Sequence, residues 1–311
     1  MKEVRRELEQ KDEQILQLRQ SLGHMTSRYS TLQQSKKGME GYRNQLDWDE
    51  EVQKAYKTLG YHIKNFCETC LGGKPFIKGV NKDQAENFNS MTAKSIWEVC
   101  LQDEDYKAKF FQGAVWHYLC LHLLSYPLAA YSKPMSDGMS QVQIAQLSEY
   151  RLKKDTPRMA RLNAWRRDTG RLLHESLGAE PNNAWSFSPV HCNHVATEMA
   201  KLFHRYSGAG TLEVVQSQLR NVVDLAVKLA SLISRADAHY LVAYHGKYLN
   251  EASYGFKAER ASMKILISFS GHLDDYDVPV DFVIRPGLLR YGEPDGEGME
   301  RNVLVKTLIC V

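Results

Sequence analysis

The chain has 311 residues, of which 43% are hydrophobic and 25% are charged, and its formal net charge at pH 7 is +3. These proportions are ordinary for a globular protein with a sizeable core. A net charge this small does not indicate nucleic acid or an anionic membrane as a partner, because proteins that bind them usually concentrate a basic field on one face.

The sequence predicts no targeting signal. Its first residues, MKEVRRELEQKDEQ, lack the apolar core of a secretory signal and are too acidic for a mitochondrial transit peptide. The longest near-apolar run, Val115 to Leu124, is about half of the roughly 20 residues needed to cross a bilayer. The six cysteines are sparse and irregularly spaced, which is typical of reduced thiols. We expect a cytoplasmic or nuclear protein without a membrane span, and not a secreted one.

The first predicted element is a coiled-coil arm over residues 1–41. Apolar side chains recur at alternating spacings of three and four, interrupted at Lys11 and Lys36, and this pattern predicts a helix of about five heptads. A stripe this narrow cannot bury itself, so the arm needs a partner helix. The predicted seam residues are Leu8, Ile15, Leu18, Leu22, Met25, Tyr29 and Leu32.

The charges beside the seam do not identify that partner helix. In a parallel homodimer Glu7 would face Asp12 of the other copy, and like charges at these positions are unfavourable. Parallel self-pairing, antiparallel or intramolecular packing, and a solvated helix that caps the domain are all open alternatives. Gly38 and Gly41 then disfavour helix and predict its end or a hinge.

A helical domain is predicted over residues 47–255. Asp47 and Glu50 form a capping box, and the apolar pattern behind it predicts a helix over about 48–70. Apolar side chains surround much of the circumference of residues 103–125, so that helix is expected to be central in the core.

Later helix starts are marked by capping residues. The sequence signals stand at Thr156-Pro157, Ser188-Pro189 and Thr211. The helix that follows Thr211 has the most extended three-four pattern of the domain, and the pattern runs on to Tyr240. Its widened stripe favours packing in a helical bundle over an intermolecular coiled coil.

The character of the sequence changes after Gly255, where short β-branched runs replace the helical pattern. These runs cover residues 264–269, 280–284 and 303–309. They predict a small antiparallel sheet, or an extended tail, over residues 256–311 and packed on the helical domain. The predicted fold class is therefore mainly α, with an N-terminal coiled-coil helix, a helical bundle and a small C-terminal β element.

The chain resembles a group of filamentous-fungal proteins of unknown function in three segments, RPGLLRYGEPDGEGMERNVLVKTLICV, AWRRDTGRLLHE and FFQGAVWHYL. The resemblance covers most of the chain after about residue 45. It implies a coiled-coil start, a helical body and this short C-terminal signature. It implies no activity, cofactor or catalytic residue.

The best candidate metal site is formed by His191, His194 and Glu198. Spacings of three and four place these side chains within about 60° on one helix face, and zinc accepts imidazole and carboxylate ligands in such a geometry. No further ligand of a recognised zinc-enzyme pattern follows. The alternative is a set of surface or interhelical histidines that form hydrogen bonds.

A second candidate is the cysteine pair Cys67 and Cys70, with His62 five residues before Cys67. The pair could reach a metal if Cys192 or His194 came near. Cys70 also lies on the apolar face of its predicted helix, so a buried thiol is the alternative.

The sequence contains no recognised catalytic motif. There is no GxSxG or related nucleophile elbow, and SGAGT at 207–211 lacks the lysine of a phosphate-binding loop. An enzymatic function has no support from motifs, and no cofactor is expected.

Residues 151–171 form the most basic segment, with eight basic and two acidic side chains. This clustering indicates an anionic partner such as RNA or an acidic protein, and the alternative is a solvated face with internal salt bridges. The candidate anion patch consists of Arg158, Arg161, Arg166, Arg167 and Arg171.

These patterns favour a non-catalytic interaction or scaffold protein that associates with a protein partner, or with itself, through the arm. One alternative is a metal-binding protein or hydrolase-like enzyme that uses His191, His194 and Glu198. The other is nucleic-acid binding through residues 151–171.

Overall fold

The computed structural model divides the chain at Trp48 into two units, Met1–Trp48 and Asp49–Val311. The predicted coiled-coil arm over residues 1–41 lies outside the described residues. The structure describes residues 48–72, 80, 82–92, 96–125, 128, 156–176, 189–208, 211–243, 254–269, 273–274, 276–291 and 301–311.

The described part of the chain is mainly helical, as the sequence predicts. A π-helical turn, Cys67–Leu71, continues α1, another at Cys120–Leu124 continues α4, and a 3-10 turn at His204–Tyr206 continues α6. The helices in chain order are α1 (residues 48–66), α2 (Lys82–Asn89), α3 (Ile96–Gln102), α4 (Glu104–Leu119), α5 (Thr156–Ser176), α6 (Pro189–Phe203) and α7 (Leu212–Arg235).

The capping signals in the sequence mark helix starts correctly. Helix α5 begins at Thr156, α6 begins at Pro189, and Thr211 is the N-terminal capping position of α7. At the start of α4 the Asp103 carboxylate accepts the backbone N–H of Asp105 at 2.8 Å, which satisfies one of the donors that a helix start leaves open.

Helix α4 lies in the core, as its apolar circumference predicts. Its side chains from Phe110 to Trp116 are all buried, and Phe110 and Phe111 make edge or tilted ring contacts with neighbouring aromatic side chains. A Cβ atom at Gly113 would lie 2.4 Å from the carbonyl oxygen of Val283. The backbone of α4 therefore packs directly on a strand, and only glycine permits this approach.

Six strands form two sheets in the described residues. The strand order is β1-β4-β5 in one sheet and β2-β6-β3 in the other. Ile309 of β6 lies between Ile265 and Val283, its partners in β2 and β3. The strands are β1 (His239–Ala243), β2 (Met263–Ile267), β3 (Phe282–Arg285), β4 (Gly287–Tyr291), β5 (Arg301–Val305) and β6 (Thr307–Cys310).

The structure corrects two expectations about these strands. A single antiparallel sheet is wrong, because there are two sheets and β2 runs parallel to β6. The helical pattern that runs to Tyr240 is also wrong at its end, since α7 stops at Arg235 and Tyr240 lies in β1. Ala236 has extended backbone angles, φ −67° and ψ 147°, so the chain leaves the helix there and enters the first sheet.

Helix α7 packs against both α5 and α6. A Cβ atom at Gly170 of α5 would lie 2.6 Å from the carbonyl oxygen of Ser234, so the C-terminal end of α7 lies against the backbone of α5. The buried face of α7 includes Val215, Leu219, Val222, Val223, Ala226, Leu229, Ala230 and Ile233. Among the described residues no helix combines the length and the apolar character needed to cross a bilayer.

Candidate functional site

The predicted metal ligands lie on α6 but differ in their exposure. His191 is 7% exposed and so lies on the buried side of the helix, whereas His194 is exposed. Glu198 is half-buried, and its carboxylate accepts a hydrogen bond from the Lys201 ammonium at 2.8 Å. This hydrogen bond lowers the pKa of Glu198. Glu198 is therefore an ionised carboxylate that already has a cationic partner.

Within the described part of the chain, no three histidine, cysteine, aspartate or glutamate side chains come together in a way that could hold a metal ion. His191 and His194 point into different surroundings, one buried and one exposed, although they are only three residues apart. Helical spacing places side chains on one face, but it does not place that face at the protein surface.

The π-helical end of α4 contributes polar groups that the sequence did not indicate. The rings of Tyr118 and His122 lie with their centroids 4.2 Å apart. Burial raises the pKa of Tyr118, and the negative charge of Glu198 raises it further. The Tyr118 phenol thus lies in the electrostatic field of the Glu198 carboxylate on α6. Tyr118 and Glu198 are distant in sequence, so no local motif predicts this proximity.

The cysteine pair at the end of α1 is buried and reduced. All six cysteines of the chain are free and buried, and the Cys70 thiol donates to Oε1 of Gln218 at 2.7 Å. Burial raises the pKa of the Cys67 thiol and raises that of Cys192 to about 11. The thiolate is the form that binds metals and acts as a nucleophile, and the raised pKa values of Cys67 and Cys192 disfavour that form.

The most buried charge of the candidate anion patch is Arg166, which is 1% exposed. Its guanidinium donates to the carbonyl oxygens of Ile233, Ala236 and Ala238, the last two at 2.7 Å and 2.8 Å. Burial lowers the pKa of Arg166 to about 10, so the side chain stays charged at neutral pH. Arg166 therefore supplies hydrogen bonds to carbonyl groups in the last turn of α7 and just beyond it. It does not belong to a surface patch.

Two other members of the candidate anion patch form ion pairs within the chain. The Arg167 guanidinium lies 2.8 Å from the Asp168 carboxylate and 3.0 Å from that of Asp237, and Arg171 lies 3.4 Å from Asp237. On this side of the helix Arg167 and Arg171 therefore have acidic partners within the chain. The remaining members, Arg158 and Arg161, are exposed on a different face.

A second buried polar cluster joins the start of α1 to the first sheet. Asp49 is 8% exposed. The Tyr240 hydroxyl donates to its Oδ1 at 2.5 Å, and Nη1 of Arg290 donates to its Oδ2 at 2.7 Å. Burial raises the pKa of Tyr240, and the hydrogen bond to Asp49 adds to the rise. One carboxylate thus links α1, β1 and β4.

A small cavity lies between α4 and β3, and His117 is part of its wall. Its volume is about 10 Å³, which is room for roughly one water molecule. Burial, followed by the charge of His122, lowers the pKa of His117 from 6.5 to about 4. The imidazole is therefore neutral in the folded protein at physiological pH.

The shifted pKa of His117 predicts a loss of stability in mild acid. As the pH falls below 6.5 the unfolded chain gains a proton that the folded chain does not bind until about pH 4. The free energy of unfolding should therefore decrease across this window, by about 3 kcal/mol from this group. Urea unfolding at pH 7 and pH 4 measures the two free energies of unfolding. The difference between them should be smaller in His117→Gln than in the unmodified chain.

The exposed His194 supplies the matched control for this prediction. The variant His194→Gln should leave the difference in unfolding free energy between pH 7 and pH 4 unchanged. An equal effect of the two variants would contradict the assignment to His117.

Comparison with known proteins returns no match at any of three levels: no protein family, no curated protein and no solved structure matches this chain.

Proposed function

We propose that the protein is a non-catalytic interaction or scaffold protein. In this proposal the arm over residues 1–41 forms a coiled coil with a helix of a protein partner or of another copy. The helical body, packed as a bundle, presents further surfaces to other macromolecules. The heptad seam carries the proposal, because a helix with one narrow apolar stripe is stable only when a partner covers it.

The division of the chain at Trp48 supports this proposal, since it separates the arm from the unit that contains α1 to α7. The chemistry of the described residues supports a non-catalytic body. Buried groups such as Cys67, Tyr240 and Arg166 have shifted pKa values, and the hydrogen bonds of Tyr240 and Arg166 hold elements of the fold together. Structural networks of this kind shift pKa values without catalysis.

Two lysines placed in the seam of the full-length chain test the role of the arm. Ile15→Lys with Leu22→Lys puts charges at two seam positions, where burial of an unpaired charge is unfavourable. We expect self-association, measured by sedimentation equilibrium, to weaken by about tenfold or more. If the partner is a different protein, capture of that partner by the arm should weaken to the same degree.

The pair Gln17→Lys and Gln20→Lys is the matched control, because it adds the same charge to the same helix away from the seam. The control should behave as the unmodified chain. The proposal would be wrong if the seam and control variants had the same molecular mass in sedimentation equilibrium and captured the same partner proteins.

A further inference from the structure

The side chain of Arg285 lies against α1 without an acidic partner. Arg285 is the last residue of β3 and is half-buried, and its Nε atom is buried without a hydrogen-bond partner. Among the described residues, no carboxylate forms an ion pair with Arg285 and no oxygen accepts a hydrogen bond from it. A cation that is partly withdrawn from water is unfavourable unless an anion or an acceptor compensates for the lost hydration.

Other arginines that are withdrawn from solvent bond to groups of the protein itself. The guanidinium of Arg166 donates to three carbonyl oxygens, and that of Arg290 donates to the Asp49 carboxylate. Arg285 instead contacts the ring of Tyr56, whose centroid lies 5.9 Å from the guanidinium carbon. A ring face attracts a cation, but it offers no acceptor to the N–H groups of Arg285.

Tyr56 does not supply a negative charge to Arg285 either. Its side chain is fully buried, and its hydroxyl donates to the carbonyl oxygen of Pro286. Burial raises the pKa of Tyr56, so the phenol is neutral at physiological pH.

The glycine at position 60 leaves space beside this guanidinium. A Cβ atom at Gly60 would lie 3.6 Å from Cδ and 3.9 Å from Nη1 of Arg285, so a longer side chain would occupy this space. Lys57 and Lys64 stand three residues before and four residues after Gly60, and both are exposed. Such spacings place side chains on one helix face, with about 5–6 Å between neighbouring Cβ atoms.

The two lysines differ in their partners. The Lys64 ammonium lies 3.8 Å from the Glu68 carboxylate, which also lies 3.5 Å from the ammonium of Lys109. Lys57 forms no ion pair with a carboxylate in the described part of the chain. Two neighbouring cations, Arg285 and Lys57, are therefore available to an anion from solution.

We propose that Arg285 and Lys57 bind a phosphate group in the space beside Gly60. The planar fork of an arginine matches two oxygens of a phosphate, and a lysine contributes a mobile point charge. A phosphate group carries about −1.5 to −2 charges at pH 7, which balances the two cations. A carboxylate carries a single charge and would leave one of them uncompensated.

The phosphate group has two possible sources, inorganic phosphate and a nucleotide. Tyr61 follows Gly60, is 67% exposed, and stands four residues after Lys57 on the same side of α1. An exposed tyrosine is a surface on which a nucleotide base stacks. If a nucleotide is the ligand, Tyr61 should contribute to its affinity, whereas inorganic phosphate needs only the two cations.

Titration of the full-length chain with inorganic phosphate, followed by phosphorus NMR at constant ionic strength, tests the site. We expect saturable binding with a Kd of about 1 mM or below. Arg285→Gln should weaken binding about tenfold or more, because the bidentate contact is lost. Lys57→Gln should weaken it about threefold, as expected for an exposed ion pair. Acetate should not displace the phosphate.

Lys54→Gln is the matched control for Lys57→Gln, because Lys54 is an exposed lysine one turn earlier on α1 and farther round the helix from Gly60. It should leave the Kd of phosphate unchanged. Urea unfolding checks that Arg285→Gln is folded, and the exposed position of Lys57 keeps that variant informative if it is not.

Adenosine monophosphate in the same titration distinguishes the two sources. Tighter binding than that of inorganic phosphate, lost in Tyr61→Ala, would identify a nucleotide as the ligand of the site. Equal affinities that Tyr61→Ala leaves unchanged would identify inorganic phosphate.

Three outcomes would overturn the proposal. The first is the absence of saturable phosphate binding up to about 10 mM, where a specific site of two cations should be occupied. The second is an equal effect of Lys54→Gln and Lys57→Gln, which would show attraction by net charge alone. The third is displacement of phosphate by an equal concentration of acetate.

Discussion

Replacing Arg166 with methionine is expected to lower the free energy of unfolding by about 4 kcal/mol, because three buried carbonyl groups then lose their donor. The guanidinium donates to Ile233 in the last turn of α7 and to Ala236 and Ala238 beyond it. Methionine preserves much of the volume of the side chain, so the loss reports the hydrogen bonds more than a cavity. Urea denaturation monitored by circular dichroism measures this loss in the free energy of unfolding.

Arg161→Met is the control for this prediction, since Arg161 lies on the same helix and is exposed. The free energy of unfolding of Arg161→Met should stay within about 0.5 kcal/mol of that of the unmodified chain. Arg166→Lys should also destabilise by about 2 kcal/mol or more, because an ammonium group lacks the planar fork that reaches several carbonyls at once. If Arg166→Met cost no more than Arg161→Met, Arg166 would not hold the end of α7.

Replacing Asp49 with alanine is expected to cost about 3 kcal/mol, because Arg290 and the Tyr240 hydroxyl lose a shared acceptor in a largely buried site. The ion pair between Asp49 and Arg290 is only 12% and 15% exposed at its two side chains, so solvent screening is weak. Urea denaturation again measures the change in the free energy of unfolding.

A double-mutant cycle separates the two bonds of Asp49. Asp49→Ala and Tyr240→Phe should be less destabilising together than the sum of their separate effects, with a coupling of about 1 kcal/mol. Glu51→Ala is the control, because Glu51 lies on the same first turn of α1 and is exposed. Additive effects of the two substitutions would show that the Asp49–Tyr240 hydrogen bond does not contribute.

The long helices of this fold were predictable because their signals are local, whereas the short α2 was not predicted from the sequence. Apolar periodicity and capping residues act within a few turns, and Thr156, Pro189 and Thr211 mark helix starts in both sequence and structure. Strand pairing is not local, since Ile265 of β2 pairs with Ile309 of β6 although β3, β4 and β5 lie between them in the sequence. Short apolar runs indicate strands, but they do not indicate which strands pair or in which direction.

The roles of single polar residues were the least predictable part. Arg166 stands in a basic segment and resembles its neighbours by type, yet its partners are backbone carbonyls, which any residue carries. The clustering of basic residues in the sequence grouped Arg166 with Arg161, although one lies in the core and the other at the surface. Asp49 similarly lies among acidic residues at a helix start, and its partners Tyr240 and Arg290 are distant in sequence.

The order of strands in the second sheet has a consequence for synthesis of the chain. Both outer strands, β2 and β3, precede β6, the strand that joins them. A ribosome adds about 25 more residues after β3 (Phe282–Arg285) before it reaches the end of β6 (Thr307–Cys310), which takes roughly 1–5 s at 5–20 residues per second. During that interval two apolar strand edges exist without their shared partner, and nascent chains on one messenger could pair through them.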